Sequence, residues 1–237
     1  MTPGRGTEIT YLGQSTFRIH SPGGQRILID PWVMNNPLCP DTLKDVSDLD
    51  LVLITHGHQD HFGDAVEVLQ SSGALAVGML ELCSWLNSKG IENTSGMNKG
   101  GSQDFEGITV TCVHADHSSG IQDGDQIVYG GEPCGYVLEL ENGFKLYHAG
   151  DTALFSDLKL IAELYQPDLV MLPIGGHFTM GPREAGHAIR LMNARRVVPM
   201  HYATFPVLTG TPEQLRAETG DIEGLEIHDL RPGETLK

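Results

Sequence analysis

The seven residues from Thr55 to His61 read Thr-His-Gly-His-Gln-Asp-His and follow directly on the apolar stretch Leu51-Val52-Leu53-Ile54. A buried strand that ends in three imidazoles and one carboxylate must open onto a polar centre. Neutral imidazole and carboxylate together suit borderline divalent ions such as zinc. Four donors this close in sequence point to two ions sharing them. His56 and His58 are separated by one residue and can reach a common centre from an extended segment. Asp60 and His61 are adjacent and diverge unless the backbone turns sharply, a freedom expected from Gly57 and Gly63. The natural division gives His56 and His58 to one ion, Asp60 and His61 to the other.

The net charge of -16, from 15 basic and 31 acidic residues, argues against nucleic acid, which needs a basic footprint. It argues equally against an anionic membrane surface. The expected partner is a small-molecule substrate, and a homo-oligomer is compatible with that. A phosphorylated substrate stays compatible too, because bound metals would reverse the local field. Cys39, Cys83, Cys112 and Cys134 show no CxxC spacing and read as small buried hydrophobes in a reducing compartment. Met1 to Gly6 lacks a basic region followed by an apolar one. No apolar run approaches the roughly 20 residues of a membrane span. The expectation is a cytoplasmic protein, and with no Pro/Gly/Ser-rich linker, residues 1–237 are read as one domain.

Periodicity predicts strands over residues 9–20, 26–30, 49–54, 75–79, 107–114, 135–140, 144–148, 168–173, 196–200 and 225–229. Helices are predicted over 64–70, 81–88, 156–165 and 182–193, the last with Pro182 in its first turn. Asn142-Gly143 is a hairpin turn signal. Hairpins mixed with strand–helix alternation favour an α/β sandwich. Asp50-Leu51-Val52-Leu53 and Asp168-Leu169-Val170-Met171 resemble each other, and each leads into a Gly/His loop, a hint of internal duplication.

Two ions need further donors near strand ends. Candidates follow three other strands, in His114-Ala115-Asp116-His117-Ser118-Ser119-Gly120, His148-Ala149-Gly150-Asp151-Thr152 and Pro199-Met200-His201-Tyr202. A carboxylate at one of these could bridge ions ~3.5–4 Å apart. His148, three residues before Asp151, reads as a packing or supporting residue rather than a ligand. His177, after Gly175-Gly176, is a candidate substrate contact or proton donor.

His-x-His-x-Asp-His, a later His-Ser-x-Gly, then Gly-Asp-Thr and a late His together resemble the metallo-β-lactamase superfamily. Within it the chain is most similar to the UPF0173 metal-dependent hydrolases, through Tyr147–Thr152, Pro173–Gly181 and Pro199–Pro206. The resemblance implies a four-layer αββα sandwich with a dinuclear site at the sheet edges. It implies His56, His58 and His117 on the first ion, Asp60, His61 and His201 on the second, and Asp151 between them. His117 is preferred to His114 because the superfamily's third ligand precedes a Ser/Thr-x-Gly turn. The ions expected are zinc, with manganese as the alternative.

The function implied is hydrolysis of an ester-type bond, a phosphodiester or lactone of a small substrate, by a hydroxide shared between two divalent ions and oriented by Asp60. The sequence leaves two rivals. A di-iron redox protein of the same fold would carry a carboxylate where His58 stands. A non-catalytic metal-binding protein would have no need of seven donors.

Overall fold

The computed structural model describes residues 6–237; the expectation for the N-terminal segment concerns residues that, apart from Gly6, lie outside these. The first described strands are β1 (Glu8–Gly13), β2 (Thr16–His20) and β3 (Arg26–Ile29), paired antiparallel. The stretch predicted as one alternating strand over 9–20 is a tight hairpin that reverses at Gln14-Ser15. Gln14 takes the left-handed conformation, φ 56°. The turn lacks the Asn-Gly or Asp-Gly signal of short hairpins, and Gln14 and Ser15 are buried, so neither composition nor polarity marks it.

Next come β4 (Leu51–Leu53), α1 (Gln59–Phe62), α2 (Ala65–Ser72), β5 (Leu75–Met79), α3 (Leu80–Ser88) and β6 (Thr94–Met97). Strands β3 to β6 run parallel, which requires crossover connections rather than hairpins. Helix α2 stops at Gly73, whose φ of 68° suits the left-handed helix terminus.

The rest of the chain supplies β7 (Ser102–Phe105), β8 (Ile108–His114), β9 (Gly120–Asp123), β10 (Gln126–Tyr129), β11 (Cys134–Glu139) and β12 (Lys145–His148). Then follow α4 (Leu158–Tyr165), β13 (Leu169–Pro173), α5 (Pro182–Met192), β14 (Arg196–Met200), α6 (Pro212–Glu218), β15 (Glu226–Ile227) and β16 (Thr235–Leu236). The predicted Asn142-Gly143 turn joins β11 to β12, with Asn142 Oδ1 accepting from Phe144 N at 3.0 Å. Pro182 opens α5, and the Glu184 carboxylate accepts from Gly181 N at 3.2 Å, capping it.

Among the described residues the strands form two large sheets, ordered β16-β1-β2-β3-β4-β5-β6 and β7-β8-β11-β12-β13-β14-β15, with β9 and β10 as a separate hairpin. The two orders match position by position. Each sheet has antiparallel pairings at one end and parallel ones at the other. The sheets face each other across one apolar cluster, with Phe17, Ile29 and Leu53 from the first and Tyr136, Leu146 and Val198 from the second. Tyr136 Oη donates to the Ile54 carbonyl at 2.8 Å and ties the sheets together at the end of β4. Helices cover the outer faces, giving the αββα sandwich. Among the described residues no helix is long and apolar enough to cross a membrane.

The short repeat seen in the sequence lies at equivalent places, β4 and β13. Its two aspartates make the same bonds. Asp50 N donates to Arg26 O at 2.9 Å, and Asp50 Oδ2 accepts from Arg26 N at 2.8 Å. Asp168 N donates to Lys145 O at 2.7 Å, and its Oδ2 accepts from Lys145 N at 3.0 Å. Each pair fixes the register at the first parallel junction of its sheet. Asp50→Ala and Asp168→Ala should each cost about 1–2 kcal/mol, and the double variant should cost the sum. Denaturant unfolding checks this; a strongly non-additive double variant would contradict two independent junctions.

Candidate metal centre

The site lies where the parallel strands end. Beyond β4 the chain passes Thr55 and His56 without regular structure and then enters α1, with His58, in extended backbone, as the residue before it. This one-turn helix solves the problem posed by adjacent Asp60 and His61. Successive helical side chains diverge by about 100°, so both reach the centre from neighbouring directions. The two glycines do not act as expected. Neither adopts a positive φ. Gly57 is required by space instead, since a Cβ there would stand 2.5 Å from Ile121 Cγ1. Gly150, with φ 61°, does provide a left-handed turn, and it delivers Asp151 from the end of β12.

Seven side chains converge. The ligating atoms of His56, His58 and His117 lie within 4.8 Å of one another, as do those of Asp60, His61 and His201, and those of His56, His61 and Asp151. Asp151 Oδ2 is 2.9 Å from His201 Nε2, 3.3 Å from His61 Nε2 and 3.7 Å from His117 Nε2. His56 Nε2 and His58 Nδ1 face each other at 3.0 Å. Two nitrogens bound tetrahedrally at a Zn–N distance of ~2.0–2.1 Å would stand roughly 3.3 Å apart, so these spacings suit ligands of common cations. His61 Nε2, His201 Nε2 and Asp151 Oδ1 are buried without a hydrogen-bond partner. Buried polar atoms left without partners are costly, and a divalent cation is the group that would satisfy this set.

The donors differ in charge state. Burial, reinforced by the neighbouring His61, pushes His56 well below the ordinary histidine pKa, and burial likewise lowers His58 and His117. These three imidazoles are neutral and ready to ligate. Burial also opposes the charged form of His201, but the Asp151 and Asp60 carboxylates outweigh it and raise the pKa to about 9. His61 is raised well above its usual value against the same burial, chiefly by Asp151 and Asp30. Asp151 and Asp60 are held low despite burial, by His201 and His61.

Supporting residues complete the geometry, and the sequence reading gave three of them no role. Asp30, fully buried, accepts from Thr55 N at 2.8 Å, Thr55 Oγ1 at 2.9 Å and His61 Nδ1 at 2.7 Å. Because the Thr55 hydroxyl donates to Asp30, it accepts from His56 Nδ1, 3.0 Å away. One carboxylate thus fixes the ring orientation of both His56 and His61 and turns their Nε2 atoms towards the centre. Gln14 Nε2 donates to Asp60 Oδ2 at 2.6 Å, while Gln14 O accepts from His201 N at 2.7 Å. An acidic residue closing the apolar run Ile27-Leu28-Ile29 is a visible signal for Asp30, which periodicity alone marks only as the end of a strand. Gln14 offered none.

The remaining histidines fall elsewhere. His148 Nε2 donates to Ser15 O at 2.9 Å, and its Nδ1 accepts from Gly150 N at 3.1 Å. It therefore braces the Gly150 turn. His114 packs edge-on against Phe155 and faces Lys99. The structure does not bring His177 into the cluster. It is exposed, with φ 59°, and stands edge-on to Phe178; Phe178, not His177, lines the cleft above the seven donors.

Known proteins fit this picture. A family profile described as a beta-lactamase superfamily domain matches residues 25–202. The chain is 53% identical to a UPF0173 metal-dependent hydrolase of Koribacter versatilis, covering 98% of each chain. It is 54% identical to a UPF0173 metal-dependent hydrolase of Rubrobacter xylanophilus, covering 98% of this chain and 96% of the other. The solved structure of Igni18, a metallo hydrolase of Ignicoccus hospitalis, superposes with a TM-score of 0.85 at 37% identity, covering 97% of both chains.

Replacing Asp30 by Asn keeps the shape but removes an acceptor for His61 Nδ1. Metal affinity should fall about 10- to 100-fold, as read by competition with a chromogenic chelator. Unchanged affinity would remove Asp30 from the support of the site.

Proposed function

The chain belongs to the UPF0173 metal-dependent hydrolases of the beta-lactamase superfamily, and from that premise we propose that it hydrolyses an ester-type bond with water activated by two divalent ions. The observation that carries this reading is the chain of three overlapping donor groups, each within 4.8 Å and joined through His56 and His61. One donor group would suffice for a single ion; the overlap supports two, with His56, His58 and His117 on one and Asp60, His61 and His201 on the other. Asp151, near both groups, is the candidate bridge. Zinc suits the five imidazoles and two carboxylates best, and manganese is the alternative.

Two ions held there would supply a water with a pKa lowered from 15.7 to about 7 and an electrophile for the attacked oxygen. The chain's own residues do the positioning. Asp60 is kept ionised beside His61 and His201, so it can accept a hydrogen bond from the attacking water. Gln14 holds one of its oxygens and fixes the plane of the carboxylate. Asp30 keeps the His56 and His61 rings aimed. Cys39, Cys83, Cys112 and Cys134 are buried free thiols, which supports a reducing, cytoplasmic setting.

Metal-reconstituted protein should cleave at least one of a panel of p-nitrophenyl phosphodiesters, lactones and acyl thioesters. Asp60→Ala should lower kcat by about 10²–10⁴-fold, and His201→Ala should lose both metal and activity. Chelation should also lower the melting temperature, because a ligand that binds only the native state stabilises it. Activity that survives both substitutions would defeat this site.

A further inference from the structure

The cleft above the donors encloses about 830 Å³, the size of a site for a small organic molecule. Beyond the five donors that line it, its walls are chiefly apolar. Trp32 and Phe205 stack at 6.0 Å between ring centroids and form one side. Phe178 and Ile127 stand at the mouth, 56% and 75% exposed. Large apolar side chains left that open at the rim of a cavity mark a binding surface. Ile127 belongs to the β9–β10 hairpin, and its side chain has room there because the paired strand carries Gly120, where a Cβ would stand 2.7 Å from Ile127 Cγ2.

Charge points the same way. Among the described residues, no Lys or Arg lines this cleft; its other polar groups are the neutral amides of Gln59 and Gln122 and the Ser118 hydroxyl. The two proposed ions would favour an anion at the reacting atom itself. The walls, however, offer no cation to a second phosphate and few partners to a sugar.

Resting on the hydrolytic reading above, we infer that the group beside the scissile bond is uncharged and apolar. The substrate is an acyl ester or lactone with a medium alkyl or aryl arm, held by Ile127, Phe178, Trp32 and Phe205, rather than a nucleotide-like phosphodiester.

The test uses zinc-loaded full-length protein and two readouts. Turnover is measured on p-nitrophenyl acyl esters and γ-alkyl lactones of increasing chain length, and on p-nitrophenyl thymidine phosphate. Binding of γ-alkyl lactams, which keep the shape but resist cleavage, is measured by calorimetry. kcat/KM and lactam affinity should both rise about two- to fourfold per methylene. Ile127→Ser/Phe178→Ser changes two exposed side chains, so the fold should survive, and it should flatten both slopes. Flat lactam affinity in the wild type overturns the inference. So does a higher kcat/KM on p-nitrophenyl thymidine phosphate than on the longest acyl substrate, and in that case hydrolysis itself stands. Chain-dependent lactam binding by a metal-loaded protein that cleaves no substrate supports the apolar cleft and defeats the hydrolytic reading.

Discussion

The Asp30 carboxylate holds the site together. It is fully buried and takes three hydrogen bonds, from Thr55 N, Thr55 Oγ1 and His61 Nδ1. A buried carboxylate is tolerated only when satisfied in this way. Its position at the end of β3, next to β4, means that the bonds which satisfy it also orient two imidazoles of the adjacent loop. The fold and the donor set therefore depend on the same few contacts. Gln14 plays the complementary part on the other side, joining the Asp60 carboxylate to the His201 backbone.

The matched sheets explain why the donors meet. Each half of the chain places its parallel strands so that they end at the same edge of the sandwich. The first half gives His56, His58, Asp60 and His61; the second gives His117, Asp151 and His201. Asp50 and Asp168 lock the equivalent junctions, and Tyr136 ties the two sheets beneath the site. Each of the three donor groups draws on both halves. Packing of the halves is thus a precondition for the site, and cations bound there would in turn hold the halves together.

Much of this was legible in the sequence because it is local. The donor run 56–61 is contiguous, the apolar strand before it is clear, and the Asn142-Gly143 turn and Pro182 helix start stand where their chemistry puts them. Helix α1 was missed because one turn is too short to show a period. Strands β7 and β10 were missed because they are polar or exposed rather than alternating. Helix α6 carries its own start signal. Thr211 and Gln214 cap it reciprocally, and that spacing is visible in the chain. Gln14 could not be read at all, because its role depends on a buried turn and on partners 46 and 187 residues away in sequence. The cleft walls share this difficulty: Trp32, Ile127, Phe178 and Phe205 come from four separate segments.

The central claim is that these side chains form one centre for two cations. Its most direct test is the metal content of protein saturated with zinc and freed of excess, measured per chain by mass spectrometry and placed by anomalous diffraction. The account predicts two ions per chain, one among His56, His58 and His117 and one among Asp60, His61 and His201, with Asp151 touching both. A single ion at saturation, or ions bound away from Asp151, would contradict it.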